Sequence, residues 1–148
     1  MPFRFTLAAL LRLRQSVERQ RILRLREASL NVARAQESIR QLDQFLAASA
    51  AADQAQLRTG RSGAELQFAF LTRENLRHMR EQLAVELRQL EQVRQHAAGE
   101  YQQAYREREV LETLRDHQRR DYLQERNRRQ QRALDVAHLL QRRHNPKG

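Results

Sequence analysis

Between Pro2 and Pro146 the chain contains no proline, and only three glycines interrupt it. Two of them, Gly60 and Gly63, fall in one stretch, Arg58-Thr59-Gly60-Arg61-Ser62-Gly63, and the third, Gly99, stands alone. Helix-breaking chemistry is therefore concentrated at one place. Gly60 is able to take the left-handed conformation that ends a helix. Ser62 and Glu65 have the S-x-x-E spacing of a capping box, in which the serine oxygen accepts from the Glu65 amide and the glutamate reaches back. The stretch predicts that one helix stops and a second starts within a few residues.

The remaining sequence suits two long helices. Only 5 % of the residues are aromatic and 31 % are charged, so there is little material for a wide core. Ala, Leu, Glu, Gln and Arg dominate, and all are strong helix formers. In the first arm the apolar residues Leu25, Ala28, Val32, Ala35, Ile39, Leu42 and Leu46 alternate spacings of three and four. That is a heptad seam one residue wide, matched to a single partner helix. The same register turns polar toward the N-terminus, through Leu11, Arg14, Glu18 and Arg21. After Leu46 the alanine-rich residues 47–55 favour helix and offer few side chains to grip with. The second arm has a seam of Leu76, Leu83, Leu87, Leu90, then Val93 or Arg94, Ala97, Tyr101, Ala104, Arg108 and Leu111.

Folding the arms antiparallel about the turn, so that paired residue numbers add to about 122, matches the two seams. Leu46 meets Leu76, Ile39 meets Leu83, Ala35 meets Leu87, Val32 meets Leu90 and Leu25 meets Ala97. Two positions fit less well. Leu42 faces Arg80, and Arg14 faces Arg108 unless Glu18 or Glu107 screens the pair. Gly99, inside the second arm, is expected to mark a bend or a close helix approach. The expected fold is all-α, an antiparallel two-helix coiled-coil hairpin spanning 1–148 as a single unit, with a first arm at 6–58, a turn at 59–63 and a second arm at 64–143. The first 14 residues are basic and free of acid, yet lack a cleavage pattern, and the apolar residues 7–11 are too few to span a bilayer. They read as a helix start, with Thr6 as N-cap and Phe5 stapled to Leu10.

The register also predicts an overhanging C-terminal helix. From about Gln118 to Arg143 the second arm has no partner, a projection of roughly 40 Å at about 1.5 Å per residue. It carries an apolar stripe, Ala133, Leu134, Ala137 and Leu140. Charge follows the same polarity: residues 1–46 and 106–148 each carry net +5, residues 47–63 carry +1 and residues 64–105 carry −1. A basic end of this kind is steered by acidic partners. At the other end Phe45, Phe68 and Phe70 gather near the turn, and exposed apolar groups there are candidate partner contacts. Phe3, Phe5 and Tyr122 are placed to brace the overhang.

Catalytic chemistry does not emerge. No phosphate-cradling glycine motif occurs, the five histidines have no ligand-type i, i+4 pairing, and there is no cysteine, which fits a cytosolic setting. The carboxylates alternate with arginines as solvated helix pairs. The expectation is a non-enzyme with no cofactor and no bound metal. The dense run Arg119, Arg120, Arg126, Arg128, Arg129 and Arg132 binds nucleic acid non-specifically at low salt. Interleaved Asp116, Asp121, Glu125 and Asp135, with few aromatics for stacking, argue against a specific nucleic-acid target. The second arm as a whole lacks the wide apolar face of an interfacial membrane helix.

The two ends resemble a known family. The opening Phe3, Phe5 and Leu7, followed by Leu10, Leu11, Leu13 and Arg14, is similar to the start of flagellar FliJ proteins. So are Leu111 and Leu114 with the charged residues after them, the segment Glu125-Arg126-Asn127-Arg128, and the run from Gln130 to Leu134 and Asp135. Val136 departs from the glutamate usual after that aspartate. The resemblance implies a cytoplasmic component of the flagellar type III export apparatus, peripherally associated with the inner-membrane machinery and monomeric when free. Such proteins are stalk-like hairpins that contact a hexameric export ATPase and the export gate membrane protein, and help recycle export chaperones. By matching position, Arg119, Arg120, Arg126, Arg128, Arg129, Arg132, Leu134, Asp135 and Leu140 are the expected contacts to the ATPase ring. Phe45, Phe68, Phe70 and Leu71 are the expected contacts to the gate, on grounds of exposure. The alternatives are the equivalent stalk of a virulence secretion system and a basic coiled coil that binds nucleic acid.

Overall fold

The computed structural model describes residues 2–144; Pro146 lies outside the described residues. Two helices make up the chain, α1 at Ala8–Leu57 and α2 at Gly63–His144, with no strand among the described residues. They pack against each other as an all-α helical hairpin. Gly60 has φ +83°, the left-handed value that only glycine takes without strain, and it sits just beyond the α1 terminus. The Thr59 amide donates to the Gln56 carbonyl at 3.1 Å, closing the last turn. α2 starts with the serine half of the expected capping box, the Glu65 amide donating to Ser62 Oγ at 3.2 Å.

The hairpin contains two compact units. One comprises residues 19–102 and includes the turn. Its seam buries Ala28, Val32 and Ala35 of α1 and Ala97 of α2. Leu25, Ile39, Leu42, Leu46, Leu76, Leu83, Leu87, Leu90 and Tyr101 are half-buried along the same line. Small residues allow the backbones to approach, while large ones on a two-helix seam keep one flank in water. Ion pairs flank the seam. Arg21 Nη1 donates to Glu100 Oε2 at 2.7 Å, and Arg80 pairs with Asp43. Arg80 therefore turns toward a carboxylate next to Leu42, which resolves the mismatch at that position. At Gly99 the expected close approach is corrected: a Cβ built there meets nothing within 4 Å, so no helix comes near.

The other unit comprises residues 1–18 and 103–148, of which 2–18 and 103–144 are described. Phe5, Leu11 and Ala104 are buried, and Leu111 is half-buried. Here the seam is polar and is satisfied by charge. Arg14 Nη1 donates to Glu107 Oε2 at 2.7 Å. Arg108 donates to Glu18 and, at 2.6 Å, to Glu112 Oε2, with its guanidinium 4.9 Å from the centre of the Tyr105 ring. Burial works against the Arg108 charge, but the Glu18 hydrogen bond and the charges of Glu112 and Glu18 outweigh it and hold the guanidinium more firmly protonated than usual. The two arginines expected to face each other are each given a carboxylate. In both units the cross-helix pairs have residue numbers summing to between 121, for Arg14 with Glu107, and 127, for Gln15 with Glu112.

The N-terminus departs from expectation. α1 begins at Ala8, and Thr6 and Leu7 form a turn in which the Phe5 carbonyl accepts from the Ala8 amide at 3.2 Å. Phe5 is buried whereas Leu10 remains 37 % exposed. Residues 2–7 thus extend past the helix as a non-helical strap.

Candidate partner-binding surfaces

In the unit holding the termini, the strap lies along α2. The Phe3 and Tyr122 rings sit 5.6 Å apart with a 45° tilt. Gln118, Tyr122 and Glu125, which continue the α2 seam, are half-buried as a result. The uncovered part of α2 therefore begins near Arg126 and not at Gln118. The strap supplies what the heptad register omits, because residues outside a helix advance farther per residue than those within one.

From residue 126 to 144 every side chain of α2 is exposed. This segment holds Arg126, Arg128, Arg129, Arg132, Arg142 and Arg143 against a single acid, Asp135. Leu134 is 64 % exposed, and Val136, Leu139 and Leu140 are similarly open. Gln131 Nε2 donates to Asp135 Oδ1 at 3.2 Å along the helix, and Arg129 Nε lies 3.4 Å from Glu125 Oε1. Such pairs are local and leave the face open. Arg119 and Arg120 are also exposed, on the flank of the strap-covered part.

In the unit holding the turn, Phe45, Phe68, Phe70 and Leu71 are all exposed, Phe68 at 74 %. They do not form one face. Phe68 and Leu71 lie one turn apart, while Phe70 is rotated about 200° from Phe68 at about 100° per residue. Phe68 lines an open depression of about 810 Å³ together with Asp53, Arg61, Glu65 and Ala69.

Asp53 is the feature the sequence reading missed. It is the one buried charged residue among those described, at 9 % exposure. Its Oδ1 accepts from Arg61 Nη1 at 2.8 Å, and its Oδ2 accepts from Arg73. One α1 carboxylate thus clamps both the turn and the first part of α2. The alanine-rich residues 47–55 are gripped by charge where apolar contact is sparse. Asp53, the single acid of residues 47–63, followed by Arg58, Arg61 and Arg73, was the available signal.

No group of His, Asp or Glu among the described residues is arranged to hold a metal ion, and no described helix is long and apolar enough to cross a membrane. Fold and surfaces together define a class: a two-helix coiled-coil protein that presents an exposed basic helix segment. The chain belongs to the flagellar FliJ protein family, whose family model matches residues 3–146. Membership makes it a component of flagellar type III export. No curated protein and no solved structure matches the chain.

Proposed function

We propose that this protein is a non-enzymatic stalk and chaperone-escort component of the flagellar type III export apparatus, held at the inner membrane by its protein partners. Its basic α2 segment contacts the hexameric export ATPase. The residues assigned to that contact are Arg119, Arg120, Arg126, Arg128, Arg129, Arg132, Leu134, Asp135 and Leu140. Phe45, Phe68, Phe70 and Leu71 are assigned to the export gate membrane protein. Because Phe70 points away from Phe68 and Leu71, a gate contact through all of them wraps the helix pair.

The observation that carries this reading is the continuous exposure of residues 126–144, where arginines outnumber acids and large aliphatic side chains stand in water. A helix that exposes leucine and valine over several turns gains by docking. Its positive charge selects an acidic receiving surface and speeds encounter.

The test reverses Arg126, Arg128 and Arg129 to glutamate and measures assembly and turnover of the export ATPase. Stimulation is expected to vanish while circular dichroism retains full helicity, since all three side chains are exposed. Undiminished stimulation contradicts the assignment. The same arginine run favours one other reading, nucleic-acid binding, in which affinity survives physiological salt and declines steeply above it.

A further inference from the structure

We propose that the N-terminal strap and the adjoining turns of α2 form one composite docking cleft for an acidic segment of the export ATPase, with Phe3 as its positioning residue. This rests on the ATPase reading above and specifies how the contact is built. The cleft encloses about 630 Å³ and is lined by Pro2, Tyr122, Glu125, Arg126, Arg129 and Gln130. Pro2 belongs to the strap and the others to α2, so neither element makes the cleft alone. The strap is fixed at two points: Phe5 is buried at its base, and the Phe3 ring packs on Tyr122 farther out. Removing the Phe3 ring frees the segment that carries Pro2 and opens the cleft.

The lining selects its occupant. Arg126 and Arg129 outnumber Glu125, so the lining carries net positive charge. Arg129 Nε already lies 3.4 Å from Glu125 Oε1, so Arg126 is the guanidinium open to bidentate contact with a carboxylate. The Pro2 and Tyr122 surfaces offer apolar contact to a neighbouring side chain. Nucleic acid fits less well. Phe3 already packs against the Tyr122 ring that would stack a base, and no other aromatic ring lines the cleft. The occupant is therefore a carboxylate-bearing protein segment with an apolar residue beside it.

A double-mutant cycle tests this with the full chain and the export ATPase, titrated at two salt concentrations. Phe3→Ala and Arg126→Gln are each expected to weaken binding about 10-fold, and the double variant to lose little more than either alone, because the substitutions act on one site. Phe3→Ala is also expected to flatten the salt dependence as Arg126→Gln does, which loss of a merely structural contact does not do. Phe3→Tyr keeps the ring and restores binding. Phe3 lies outside both helices, so helicity is expected to stay constant in every variant. Wild-type affinity in Phe3→Ala, or full additivity in the double variant, overturns the cleft while leaving the ATPase reading intact. A wild-type chain that does not bind the ATPase overturns both. A 20-nucleotide single strand bound at physiological salt and lost in Phe3→Ala assigns the cleft to the wrong occupant and overturns the proposal.

Discussion

Asp53 shows how one residue stabilises a segment that has no hydrophobic grip. Its carboxylate serves Arg61 and Arg73 at once, and all three side chains are largely shielded, with relative exposures of 12 %, 19 % and 28 %. Pairs this enclosed differ from the solvated i, i+3 pair of Glu37 and Arg40, which contributes little. Truncating one member leaves the others desolvated and uncompensated. Asp53→Ala is therefore expected to destabilise the protein by about 1–3 kcal/mol in urea denaturation. The loss should shrink when Arg73→Ala is introduced as well, the signature of direct coupling. An Asp53→Ala variant as stable as wild type would show the clamp to be incidental. At Glu37 the Arg40 hydrogen bond holds the carboxyl below its usual range. A lowered carboxylate supports the fold above its unfolded-state titration and loses that support as pH falls through the folded value, so α1 weakens on the acid side.

At the scale of the elements, Gly60 and Gly99 separate sharply. Gly60 has positive φ, and an alanine there is strained by about 1–2 kcal/mol whatever the space around it. Gly99 is helical with open space at its Cβ position, and alanine there is expected to stabilise by about 0.5–1 kcal/mol. Thermal melts of the two variants should move in opposite directions; a fall in melting temperature for Gly99→Ala would mean that the glycine has a packing role after all. The helices themselves were legible in the sequence because a heptad repeat and a single breaker cluster are local signals. Leu25, Val32, Ile39, Leu83, Leu90 and Leu111 can be placed on a seam by counting alone. The strap could not be read in this way. Residues 2–7 follow no helical period, and their position on Tyr122 depends on tertiary packing, so the start of the exposed segment shifted from Gln118 to Arg126. The polar end of the seam was legible as a conflict between Arg14 and Arg108, but the pairing that removes it required geometry. Leu134, Asp135 and Leu140 were readable as an unpaired stripe, whereas the Pro2–Arg126 proximity in the cleft was not, since more than a hundred residues separate them in sequence.

For the whole molecule, function depends on the fold-back. An antiparallel partner of limited length covers α2 up to the strap and leaves residues 126–144 to other proteins. Without the fold-back the seam leucines are as exposed as Leu134, and nothing distinguishes the basic segment from the rest of α2. The absence of cysteine makes the test clean, because introduced thiols are the only ones labelled. Cysteines replacing the exposed Gln41 and Glu81 carry spin labels without entering the seam. Pulsed electron resonance on labelled chain diluted into unlabelled chain reads the distance within one molecule. A hairpin with helix axes about 8–10 Å apart predicts a label separation below about 30 Å. A continuous helix would place the two sites about 60 Å apart at about 1.5 Å per residue, and that result would contradict the account.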